Sequence, residues 1–120
     1  MNFDNTTLIT GGSGLVGSSL QGGKKPPRIE VDLLDEKSLN DYIARNHIKN
    51  VIHCAGRVGG IKANMENNAS FFRENLLLGL NVFESRRKNN IEKLILFLST
   101  CVFPAKVNYP LTYDQIFSGP

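Results

Sequence analysis

Residues 6–17, TTLITGGSGLVG, restrict what this chain can fold into more than any other stretch. Leu8 and Ile9 close a short apolar run, and Gly11, Gly14 and Gly17 follow at intervals of three before a helical pattern begins. Such an order predicts strand, tight turn and helix. The glycines divide the steric work: Gly11 frees φ for the turn, Gly14 lets a pyrophosphate approach the backbone, and Gly17 lets the helix close on the strand. Leu15 and Val16 stand at the helix start, where unpaired N–H groups and the positive dipole end form an anion site. A phosphate-bearing cofactor is the expected occupant. Taken alone, the three glycines also fit a bare surface turn; the strand before them favours the cofactor.

Composition narrows the function classes. The 120 residues, 41% hydrophobic and 21% charged, fit one globular unit with a core of its own. No apolar run approaches the roughly 20 residues a membrane span needs, and the first residues have neither the basic nor the apolar region of a signal peptide. A cytoplasmic protein with no membrane partner is expected. Cys54 and Cys101 make neither a metal-type pair nor a disulfide framework, so reduced thiols are expected. The net charge of +3 is dispersed and not interleaved with aromatics, which argues against nucleic acid and suits an anionic small molecule.

Along the chain, a first helix over 15–20 has barely two turns before Gly22, Gly23, Pro26 and Pro27 stop it. Only residues 29–31 are left to supply a second strand, so the first βαβ unit is abbreviated. Lys24, Lys25 and Arg28 then lie on a loop, either solvated or touching an adenosine phosphate. Asp32 and Leu33 end that strand, where an adenine edge could be read, and Asp35 caps a helix over 36–45 whose apolar face is Leu39, Tyr42 and Ile43. Residues 51–55, VIHCA, read as a strand buried on both faces, with His53 serving packing rather than acid–base chemistry. Gly56, Gly59 and Gly60 follow on the ligand side of an open sheet.

A helix over 68–89 repeats Phe72, Leu76, Leu80 and Phe83 at spacings of three and four, and Phe71, Leu78 and Val82 widen its apolar surface beyond what one sheet face needs. A partner helix from a second subunit, or from further chain, would absorb the excess. Residues 94–98, LILFL, form another buried strand, ending in Ser99, Thr100 and Cys101. Strands alternating with helices predict an α/β fold: a Rossmann-like, doubly wound parallel sheet.

TGGSGLVG at 10–17, DLLD at 32–35, HCAGRVGGI at 53–61, ENLLLGLNV at 74–82 and STCVFP at 99–104 together resemble the extended short-chain dehydrogenase/reductase family, within it the enzymes that epimerise and reduce GDP-4-keto-6-deoxymannose. The resemblance implies NADP as cofactor, a GDP-sugar substrate and a homodimer built through the 68–89 helix. It implies that Gly11, Gly14, Leu15, Val16 and Gly17 hold the pyrophosphate, that Asp32 and Leu33 border the adenine, and that Ala55 and Gly56 line the ribose. It further implies a catalytic set in which Ser99 donates to the C4 carbonyl oxygen, Cys101 exchanges protons at C3 and C5, and Asn75 organises the site. The family's Tyr-x-x-x-Lys pair has no match, since Tyr113 and Phe117 occupy the fourth positions after Tyr109 and Tyr113. Residues 1–120 are therefore expected to be the N-terminal part of an NADP-binding Rossmann domain, without the substrate domain and inactive alone. A noncatalytic nucleotide-binding or interaction module is the other reading.

Overall fold

The computed structural model describes residues 2–119. Its first strand, β1 (Asn2–Thr10), is exposed at its start and fully buried from Thr7 to Thr10. The helix α1 (Leu15–Ser19) has only five residues and is followed at once by β2 (Gln21–Lys24). Next come α2 (Glu36–Arg45), β3 (Asn50–His53), α3 (Ile61–Asn89) and β4 (Lys93–Leu96), then two 3-10 turns at Thr100–Val102 and Tyr113–Phe117.

All four strands run parallel in the order β2-β1-β3-β4, with Leu8 beside Val51 and Val51 beside Leu94. One face of this sheet packs on α2 and α3. Leu8 and Val51 from the strands meet Leu39, Tyr42 and Ile43 from α2 and Val82 from α3 there, with Leu94 and Leu96 at the margin. Right-handed crossovers put α2 and α3 on this shared face and leave the other to α1. The α2 helix starts as its residues dictate: the Asp35 carboxylate accepts from the Lys37 N–H at 3.0 Å.

Three expectations are corrected. The second strand is Gln21–Lys24, not residues 29–31; positions 28–30 form a turn, and Ile29 is 97% exposed. Gly22 and Gly23 hold φ of 72° and 67° there, a backbone that gives no apolar or β-branched signal in the sequence. Helix α3 begins at Ile61, seven residues before the expected start, and bends at Asn67, whose φ/ψ of −133°/25° leaves the helical region. Finally, β4 is an edge strand rather than a buried one. The strand spans Lys93–Leu96 and not 94–98: Leu94 and Leu96 rest on the core, Ile95 is 41% exposed, and Phe97 and Leu98, past its end, are 55% and 71% exposed.

Candidate functional site

Strand β1 has β2 on one side and β3 on the other, so the connections leaving β1 and β3 diverge to opposite faces of the sheet. The gap between them, at the carboxyl ends of the strands, is where open α/β sheets bind ligands. A cleft of about 810 Å³ lies there. Its walls are the glycine turn (Thr10 to Ser13), the link from β2 to α2 (Lys25 to Arg28 and Val31 to Leu34), the exit of β3 (Ala55 to Arg57), and Glu74 and Leu78 of α3.

The glycine turn is built by contact. Gly11 has φ of +69°, and a Cβ placed on it would stand 2.7 Å from the Ala55 nitrogen. A Cβ on Gly17 would stand 2.3 Å from the Gly11 carbonyl oxygen, so α1 touches the turn through backbone alone. Gly14 caps α1 and donates to the Gly11 carbonyl at 2.9 Å, and a Cβ placed on it would meet only that oxygen, at 3.3 Å, while Leu15 is 92% exposed. Five residues sum to a small macrodipole, so an anion here would be held mainly by the unpaired N–H groups at the start of α1.

Below the turn, the Thr10 hydroxyl lies 2.7 Å from His53 Nδ1 and accepts from the Ala55 N–H at 3.4 Å. Burial holds His53 below its ordinary pKa of 6.5, consistent with a neutral packing histidine. Burial likewise pushes the Cys54 thiol up, partly offset by the Lys25 charge. Lys25 donates its Nζ to the Leu20 carbonyl and lays its stem on Gly12; Arg28 is exposed at the cleft, and Lys24 belongs to β2.

Among the residues expected to bind cofactor, Gly11, Asp32, Leu33, Ala55 and Gly56 line the cleft, whereas Gly14, Leu15, Val16 and Gly17, which follow its glycine wall in the chain, are not part of the lining. Ser99 and Cys101 follow β4 at the same carboxyl edge of the sheet but stand outside the cleft wall, both exposed. The Ser99 hydroxyl accepts from the Cys101 N–H at 3.1 Å and so caps the turn that carries the thiol. Asn75 faces the loop after β3. Its Oδ1 accepts from the Arg57 N–H at 2.7 Å, and its Nδ2 donates to the Arg57 and Phe71 carbonyls at 2.8 and 2.9 Å.

Sequence reasoning missed Arg57, Glu74 and Asn81. Arg57 pairs with Glu74 and stacks on the Phe71 ring at 4.6 Å from its centroid, fixing the cleft wall beside Gly56. Asn81, 8% exposed, donates to the Leu33 carbonyl at 2.8 Å. The visible signal was spacing: Asn75 and Asn81 interrupt an apolar helix. Among the described residues no group of His, Cys, Asp and Glu could hold a metal ion, and no helix is long and apolar enough to cross a membrane.

A parallel sheet with a glycine turn at its switch point and a cleft above it defines a Rossmann-like domain. The chain belongs to the NAD dependent epimerase/dehydratase family, which it matches over residues 21–117. It is 36% identical to the GDP-L-colitose synthase of Yersinia pseudotuberculosis over 93% of its length, and 36% identical to the GDP-L-fucose synthase of Dictyostelium discoideum over 96%. In each case it spans 39% of the relative. A GDP-L-fucose synthetase from Naegleria fowleri solved bound to NADP superposes with a TM-score of 0.70 at 30% identity, over 95% of this chain and 36% of that one.

Proposed function

We propose that this chain is the cofactor-binding part of an NADP-dependent enzyme that converts GDP-4-keto-6-deoxymannose to GDP-L-fucose by epimerisation at C3 and C5 and reduction at C4. The observation that carries the reading is the common rim: the glycine turn after Thr10, Ala55 and Gly56 after His53, and Ser99 to Cys101 after β4 all leave the sheet at one edge. The relatives named above support the substrate class. NADP fits the residues present: the positive φ of Gly11 folds the turn closely against Ala55, Gly14 has only the Gly11 oxygen near its Cβ position, and the N–H groups at the start of α1 are left for a pyrophosphate.

In this reading Gly11, Gly14, Leu15, Val16 and Gly17 hold the pyrophosphate, Asp32 and Leu33 border the adenine, and Ala55 and Gly56 line a ribose. Lys25 and Arg28, the cations on the cleft wall between β2 and α2, would receive a 2′-phosphate. The cofactor supplies hydride for C4. Ser99 donates its hydroxyl hydrogen to the C4 carbonyl oxygen, stabilising the negative charge that builds there when a neighbouring C–H is lost. The Cys101 thiolate removes the C3 and C5 protons, which that ketone acidifies, and a partner acid on the opposite side of the sugar, outside residues 1–120, protonates the other face. Asn75 contributes by fixing Arg57 rather than by touching substrate.

The test uses the product of the complete reading frame that contains these residues, given NADPH and GDP-4-keto-6-deoxymannose in deuterated water. Deuterium at C3 and C5 with NADPH consumption is expected. Cys101→Ser should abolish the exchange, and Ser99→Ala should slow it about 100- to 1,000-fold. Exchange that survives Cys101→Ser would overturn the role of the thiol; absence of both exchange and NADPH consumption would overturn the activity.

We further assign a homodimer through α3, supported by Phe72, Leu76, Leu80 and Phe83, which stand 49–70% exposed along one stripe. The two unpaired thiols fit a reducing, cytoplasmic compartment.

A further inference from the structure

We propose that Asn81 is a positioning residue for the adenine half of the dinucleotide, an assignment that rests on the cofactor reading above. The turn at 32–35 is shaped from within: the Asp32 carboxylate accepts from the Leu34 N–H at 3.0 Å, and the Asp35 N–H donates to the Asp32 carbonyl at 3.1 Å. Those bonds set its curvature but not its place against the cleft. At its α2 end the turn is tied by the Asp32 N–H, which donates to the Ser38 hydroxyl at 3.1 Å. At its α3 side, among the described residues, the tie is the Asn81 amide on the Leu33 carbonyl.

Asn81 lies in a helix face that otherwise serves packing, beside Val82 and one turn before Ser85, both at most 2% exposed. An amide in such surroundings carries a desolvation cost that only a fixed partner offsets, and the partner it has is a cleft-lining residue. Asp32 and Leu33 therefore meet a ligand at a position set by α3. The six-residue spacing from Asn75 places the clamps of two cleft walls, 32–34 and 55–57, on this one helix.

The experiment measures dissociation constants of 2′,5′-ADP, the adenine half of NADP, and of nicotinamide mononucleotide, for the complete protein and for Asn81→Asp. The aspartate keeps shape and volume but offers no donor to the Leu33 carbonyl. A loss of about tenfold for 2′,5′-ADP with the mononucleotide unchanged is expected, the size of one intramolecular hydrogen bond. Asn89→Asp, which removes the amide donor to Asn40 in the same helix pair away from the turn, should leave both constants unchanged. Equal weakening of both fragments by Asn81→Asp, or no weakening, would overturn the assignment alone. A wild-type protein that binds neither fragment would overturn the cofactor reading and this assignment with it. Should Asn81→Asp fail to fold, nuclear magnetic resonance of the wild type decides: 2′,5′-ADP, and not the mononucleotide, shifts the Asn81 side-chain amide signals, and an unshifted pair refutes the role.

Discussion

The Thr10 hydroxyl and His53 Nδ1, 2.7 Å apart, join the carboxyl ends of β1 and β3 directly beneath the glycine turn. With the hydroxyl hydrogen on Nδ1, the ring is neutral and carries its own proton on Nε2, an assignment that satisfies both groups. A second ring proton would turn Nδ1 from acceptor to donor in a place that burial already makes costly for charge.

The first prediction follows from that pair. Because the folded pKa of His53 is depressed, its contribution to stability is complete above the ordinary value of 6.5 and is lost as pH falls toward the lowered one, since the unfolded chain takes up the proton first. Denaturant midpoints should fall between about pH 7.5 and pH 5.5, and His53→Gln should flatten that dependence. A slope that survives the substitution would place its origin elsewhere.

Two glycines of the turn should respond oppositely. A Cβ at Gly17 meets only backbone, with the Gly11 oxygen at 2.3 Å and the Gly12 Cα at 2.9 Å, so Gly17→Ala should cost about 2–3 kcal/mol in urea unfolding. At Gly14 the nearest atom is 3.3 Å away and φ is −77°, which any residue adopts. Gly14→Ala should therefore change stability by less than about 1 kcal/mol while weakening dinucleotide binding, because its new methyl occupies the ligand's approach.

That contrast also marks what the chain's letters reveal. Glycine spacing exposed the turn, and the alternation of Leu39, Tyr42 and Ile43 with polar residues located α2 to the residue. Strand β2 stayed hidden because two glycines at positive φ leave no side-chain pattern to read, and its pairing with β1 is irregular. The exposed face of β4 was hidden too, since LILFL has the same composition whether one face or both are covered. Cleft residues behave likewise: Gly11 and Ala55 follow strand ends and could be read, whereas the Asn81 contact spans 48 positions and depends on how α3 crosses the sheet.

Ser85 tests the packing of α3 on α2. It is 1% exposed, and among the described residues its hydroxyl oxygen has no hydrogen-bond partner. Ser85→Ala removes an unpaired buried polar atom and adds no volume, so stability should rise by about 1 kcal/mol. An equal loss instead would reveal a partner for the hydroxyl, and thermal unfolding of the two proteins distinguishes the outcomes.

The last prediction concerns the other side of the same helix. Asn81, Val82 and Ser85 face the interior of the domain, so Phe72, Leu76, Leu80 and Phe83 cannot also reach it, and their spacing of four, four and three keeps them in one stripe. Four large apolar side chains in line form a ridge of the kind that packs against a second helix, and a second copy of this chain brings an identical one. Sedimentation of the complete protein should show a dimer at micromolar concentration. Leu76→Glu with Leu80→Glu should yield a monomer with unchanged circular dichroism, because both side chains are already half-exposed and contribute little to the core. A wild-type monomer at tens of micromolar would refute the assembly. A dimer that survives both glutamates would move the interface to another face.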